Sequence, residues 1–187
     1  MNRYSWIWIL LVAAAACNNG DTRPHQANIS GYRDIKGYFI KELSLIRQQK
    51  PVLFKTVTLN EQRDSTTINT PDSAQLHDLL QPFLETDLNK PSLQDAYDTI
   101  RLADQFTGKQ SLLYKAKDKS TPLQEVILNI DNNQQIQSVQ LNKQVDNLVY
   151  EYQQHLEYEH NNHIRIITRQ KIAFLPSREL DVKVMLR

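Results

Sequence analysis

This chain of 187 residues has a single cysteine, Cys17, so no disulfide can form within it. Its stability must come from side-chain packing and backbone hydrogen bonds. Glycine is almost as scarce, at four residues. Phosphate-cradling loops and nucleophile elbows consume glycine, and none of Gly-x-x-x-x-Gly-Lys, Gly-x-Gly-x-x-Gly, Gly-x-Ser-x-Gly or His-Glu-x-x-His is present. Neither sign of charge is in excess, with 22 Lys and Arg against 21 Asp and Glu. A protein that neutralises nucleic-acid phosphates needs a basic face, so no nucleic-acid partner is expected. No apolar run reaches the roughly 20 residues that span a bilayer. There is also no internal repeat.

What is there begins at the N-terminus. Arg3 is a short basic region, Trp6-Ile7-Trp8-Ile9-Leu10-Leu11-Val12 is an apolar core, and Ala13 to Ala16 supply small residues directly before Cys17. The segment resembles the precursor of a bacterial lipoprotein. That resemblance implies cleavage between Ala16 and Cys17 and lipid on the Cys17 sulfur and amino group. The aliphatic residue usual at the position of Ala14 is missing, and ordinary signal cleavage at Ala14-Ala15-Ala16 is the alternative. Loss of Arg3 with the leader would leave the two signs of charge balanced, so membrane attachment would rest on the lipid rather than a polybasic patch. Asn18 is not the aspartate that retains such proteins at the inner membrane of enteric bacteria, which points to the outer membrane, with the domain periplasmic or surface-facing.

Three domain segments follow: a signal peptide over 1–16, a lipidated cysteine and flexible tether over 17–30, and one α+β domain over 31–187. The tether is polar and lacks apolar periodicity. Ile35, Phe39, Leu43 and Ile46 predict a helix over about 33–48, with Lys41, Glu42 and Arg47 on its polar side. Residues 52–59 and 65–68 read as a hairpin. Thr70-Pro71-Asp72 opens a second helix carrying Leu76, Leu79, Leu80 and Phe83, which Pro82 should kink or end early. Asn89 is suited to a left-handed cap, with Pro91 just beyond. From there on the pattern is all strand: 97–105, 109–117, 123–130, 135–142, 147–159, 163–175 and 180–187. Turns rich in Asn and Gly separate these strands. Leu180, Val182, Val184 and Leu186 alternate with polar residues, as on an antiparallel sheet with one wet face. The expected fold is α+β, a curved antiparallel meander sheet with two amphipathic helices packed on one face.

Two groups of side chains are candidates for chemistry. His155, His160 and His163 lie close in sequence, and a two-residue turn at Asn161-Asn162 would set His160 and His163 face to face. With Glu157 or Glu159 they would be weak candidates for a zinc or copper site. The competing reading is the polar tip of an exposed hairpin, and no cofactor is expected. Tyr150, Tyr152 and Tyr158 share one strand face with Leu148 and Leu156. Together with Phe39 and Leu43 they would line an apolar ligand site if the helices stand off the sheet; otherwise they are core.

From residue 33 onward the chain resembles small Bacteroidota envelope lipoproteins. The likeness is carried by the first helix, the Lys55-Thr56-Val57 hairpin, the exit from Glu85 to Pro91, the Leu148-Val149-Tyr150-Glu151 strand and Gln170-Lys171. Asp64-Ser65-Thr66, Asp72-Ser73-Ala74 and Asp98-Thr99-Ile100 also look like the sites at which exported proteins of that group are O-glycosylated. The resemblance implies location and architecture but brings no catalytic residues. The expectation is therefore a lipid-anchored envelope protein that is not an enzyme, with a binding or scaffolding role toward another envelope component through its sheet or hairpin tips. The alternatives are a carrier of lipid or another apolar ligand, similar in architecture to the LolA/LolB proteins, and a metal-dependent envelope hydrolase.

Overall fold

The computed structural model describes residues 31–104 and 106–187. The expected leader, Cys17 and the tether lie outside the described residues. Helix α1 spans Ile35–Gln49. Asp34 caps it by accepting a 2.8 Å hydrogen bond from the Gly37 N–H. Lys50 ends it in the left-handed conformation (φ 47°), its N–H returning to the Ile46 carbonyl just before Pro51. Strands β1 (Leu53–Leu59) and β2 (Gln62–Ile68) form the expected hairpin, and Asn60 takes the positive φ of the tight turn.

Helix α2, Ser73–Leu84, opens with a capping box in which Asp72 and Gln75 each accept from the other's backbone N–H. Pro82 sits in its last turn, so the helix stops two residues later, and the Thr86 hydroxyl donates to the Pro82 carbonyl at 3.1 Å. The exit differs from expectation at Asn89, which has no positive φ. Its side-chain amide instead donates to the Tyr32 carbonyl at 3.1 Å, tying the exit to the chain ahead of α1. A single 3-10 turn, Pro91–Leu93, precedes the strands.

Those strands are β3 (Tyr97–Ala103), β4 (Gln110–Ala116), β5 (Leu123–Ile130), β6 (Ile136–Asp146), β7 (Tyr150–Glu159), β8 (His163–Ile172) and β9 (Arg178–Leu186). Every pairing is antiparallel, and the order is β2-β1-β9-β8-β7-β6-β5-β4-β3. The meander from β3 to β9 is thus extended at its C-terminal strand by the N-terminal hairpin, with Leu53 opposite Leu186 and Leu59 opposite Leu180. The sheet stays open, and the fold is the expected α+β arrangement. Among the described residues, no helix is long and apolar enough to cross a membrane.

Alternation puts Leu112, Leu128, Val139, Tyr158, Ile164 and Val184 in one row across β4, β5, β6, β7, β8 and β9. All six are buried beneath Phe39 and Leu43 of α1 and Leu80 and Phe83 of α2. Phe39 is central, 4.6 Å from the Phe83 ring and 5.1 Å edge-on from Tyr158. Replacing Phe39 with alanine removes a ring with no solvent exposure and is expected to cost about 3–5 kcal/mol. Asp72→Ala, which loses only the α2 cap, is expected to cost about 1 kcal/mol. Urea unfolding of the two variants measures both, and similar losses would show that the helices do not share this core.

Candidate functional site

The histidines do not converge as the two-residue turn predicted. Glu159 pairs with His163, so the β7–β8 loop has three residues, His160-Asn161-Asn162. It closes through Asn161 at φ 55° and a 3.1 Å bond from the Asn162 N–H to the Glu159 carbonyl. The extra residue breaks the symmetry that would have set His160 against His163. His163 lies on the face opposite the helices, 3.5 Å from Glu157 and 3.3 Å from Glu159. His155 is on that face too, with Nδ1 2.6 Å from the Asn142 side-chain oxygen. His160 turns to the helix side, where Nδ1 donates to Glu42 at 2.8 Å. Among the described residues, no three His, Cys, Asp or Glu side chains are grouped as metal ligands.

Glu42 is the larger correction. It does not belong to a polar side of α1: it is buried, and it accepts hydrogen bonds from the Tyr158 hydroxyl as well as from His160. The signal was its spacing, three residues after Phe39 and four before Ile46. Burying a carboxylate among rings is costly unless it accepts hydrogen bonds, and here both donors converge on one oxygen, Oε2. Burial first, and then the Glu42 partnership, raise the Tyr158 phenol well above the ordinary tyrosine range. Burial raises the neighbouring Tyr38 phenol too, which donates to the Ile136 carbonyl at 3.2 Å. Tyr97, desolvated on the other flank of the core, is pushed up to about 12.

The five apolar candidates separate. Phe39, Leu43 and Tyr158 are packed into the core. Tyr150 and Tyr152 are half-buried and stacked, their centroids 6.2 Å apart, on the helix side of the sheet but toward the end where strand pairs β6–β7 and β8–β9 turn. Sequence periodicity missed what lies beyond them, because it ran the strands through 147–149 and 173–175. In the structure Asn147 ends β6 and caps the turn, its side-chain oxygen accepting from the N–H groups of Val149 and Tyr150. Leu148 and Val149 are therefore loop residues, as are Phe174 and Leu175. The Ala173 N–H bonds the Val149 carbonyl at 2.9 Å, which holds the two loops side by side. Leu148 and Phe174 are fully exposed, and Val149 and Leu175 are more than half exposed. Ile172, Leu59 and Val145 extend this apolar end onto the adjoining strands. Isolated exposed apolar side chains are ordinary; several on two loops joined by a backbone hydrogen bond are less so.

The face without helices is mixed: Phe54, Ile100 and Leu102 are exposed on it, among polar side chains that pair with one another. Ser111, Asn129 and Ser138 form a cross-strand chain at 2.7 and 2.8 Å, and Arg165 holds Asp181 through two hydrogen bonds at 3.1 and 2.8 Å. A shallow cleft of about 250 Å³ beside that pair is lined by Thr56, Thr58, Arg63 and Lys183. Lys143 is on the other side of the sheet, donating to the Pro82 carbonyl at 3.1 Å, and burial lowers its ammonium below the usual lysine value.

No family model matches the chain, and no curated protein or solved structure matches it.

Two measurements test the buried network. His160→Ala leaves Glu42 one donor short and is expected to cost roughly 1–2 kcal/mol, against less than about 0.5 kcal/mol had the ring been an idle surface group. The second is alkaline stability. Tyr38, Tyr97 and Tyr158 keep their protons in the folded chain at a pH where unfolded tyrosines, near 10, have lost theirs. Above that pH the folded state binds more protons, so stability is intact below about pH 10 and falls as pH rises through it. Urea midpoints should decline there, and less steeply for Tyr158→Phe. An identical slope in that variant would rule out the assigned role of Tyr158.

Proposed function

We propose that this chain is a lipid-anchored cell-envelope protein with a non-catalytic binding role, exercised through the end of the sheet that carries Leu148, Val149, Phe174 and Leu175. The observation behind the binding role is that cluster: four large apolar side chains held outward on two loops joined by a backbone hydrogen bond. Folding gains nothing from exposing them, so a contact made after folding accounts for them better than the core does. The anchor rests on the leader that ends at Cys17, and the outer membrane is the proposed destination.

The carrier reading has less support, since three of the five side chains expected to hold a ligand are spent on the core. The hydrolase reading has less support too, since no three His, Cys, Asp or Glu side chains are grouped as metal ligands among the described residues. Incorporation of labelled palmitate into the wild type but not Cys17→Ser tests the anchor, and unlabelled, soluble wild type would refute it. Crosslinking in intact envelopes tests the binding role. Adducts are expected from probes at 148 or 174 and not from probes at Lys183 on the face without helices; the reverse pattern would move the contact to that face.

A further inference from the structure

We infer that the apolar end is a bilayer contact, in which Leu148 and Phe174 enter the acyl-chain region of a membrane surface. This deepens the binding role proposed for that end and names its partner as lipid. Three observations single out lipid. The first is position: the two loops lie beyond the strand ends with their leading side chains fully exposed, and such side chains need either a matching pocket in a partner or a soft medium that accepts them. The second is the order of side chains going inward from the tips. Leu148 and Phe174 lead. Next come half-buried Tyr150 and Tyr152, level with exposed Lys171 and Arg178 at the strand ends. Aliphatic and phenyl groups outermost, then tyrosines and long cations, then water, is the sequence of environments through a bilayer interface. The third is the backbone at Phe174, whose φ of 67° suits glycine and is costly for an aromatic residue. A bulky apolar group is kept there against local preference, aimed outward.

The length of chain ahead of the domain allows the contact. Residues 17–30 reach at most about 3.4 Å each, roughly 48 Å in all, so a lipid on Cys17 would leave this end free to touch the same surface. The charges behind the tips are mixed, because Glu151 stands opposite Lys171 and Asp146 is adjacent to that pair across the β6–β7 ladder. Binding should therefore follow apolar insertion and vary little with anionic lipid or salt.

The test uses residues 18–187 made without lipid, a chain that retains every core residue of the domain. Both native tryptophans, Trp6 and Trp8, are then absent, so Phe174→Trp carries a single reporter at the tip. With phosphatidylcholine vesicles its emission should shift to the blue and be quenched by lipids brominated along the acyl chain. Leu148→Ser combined with Phe174→Gly should lower vesicle affinity by about tenfold or more while keeping the urea midpoint, since glycine suits the backbone at 174. Unchanged emission with vesicles, or equal vesicle binding by the double variant, would overturn the inference. A photocrosslinker at 174 that captures a protein and no lipid would overturn it as well, yet leave the binding role standing. The lack of Cys17 keeps these outcomes separate from the anchor.

Discussion

The rest of the structure depends on a mismatch of areas. Nine strands set about 4.8 Å apart make a sheet nearly 40 Å wide, and its longest strands run about 35 Å. Helix α1 has 15 residues and α2 has 12, so at 1.5 Å per residue they are only about 22 and 18 Å long. Two rods of that size, packed side by side at about 10 Å, cannot cover one face of such a sheet. They lie over the rows that contain Tyr158, Leu128 and Val139 and leave the helix-side rows nearer residues 148 and 174 in partial contact with water. The uncovered face avoids the problem only in part: polar side chains pair across strands there, but Phe54, Ile100 and Leu102 are exposed among them. The uncovered part of the helix face does not avoid it: Tyr150, Tyr152, Ile172, Leu59 and Val145 stay there, apolar and accessible.

Glu42 shows how the covered part is fixed in place. A core built only of Phe39, Phe83, Leu80 and their sheet partners tolerates small slides of α1 along the sheet, because apolar contacts have little direction. A buried carboxylate that needs donors from Tyr158 and His160 does have direction. Sliding α1 by one turn would strand it without partners. The β7–β8 loop therefore has a structural duty, and its third residue is what turns His160 toward the helix. What looked in sequence like a pair of metal ligands is one ring that orients a helix and another that lies between two glutamates on the opposite face.

The architecture was legible because its signals are local. The alternation in 180–186, the Asn- and Gly-bearing turns and the 3.6-residue spacing of Ile35, Phe39, Leu43 and Ile46 each set one element regardless of the others, and all nine strands and both helices fall close to where those signals put them. The candidate site was much less legible, since it depends on where strands stop. A strand signal made of apolar residues continues through Leu148-Val149 and Phe174, and only the backbone, through the Asn147 cap and the positive φ at Phe174, turns those residues out of the sheet. Loop length hid the histidine geometry for the same reason: a loop of Asn161-Asn162 and a loop that also takes in His160 look alike in composition, yet only the first sets the two rings face to face. The pairing of β1 with β9 is non-local, and a sequence pattern alone does not contain it.

The proposed anchor and the proposed bilayer contact would do different things. A single lipid attachment would hold a domain near a surface without fixing which of its faces meets that surface. A second, rigid contact through two loops fixed to each other and to the sheet removes that freedom. The loops lie at the ends of β6, β7, β8 and β9, so strands that meet a membrane at their tips stand up from it instead of lying on it. The face that carries the Arg165–Asp181 pair and the Ser111–Asn129–Ser138 chain would then look sideways into water. An anchor alone would present every face in turn. Two attachments would hold the domain in one orientation, and that would require the sheet to stay rigid between its apolar end and the helix that Glu42 locks against it.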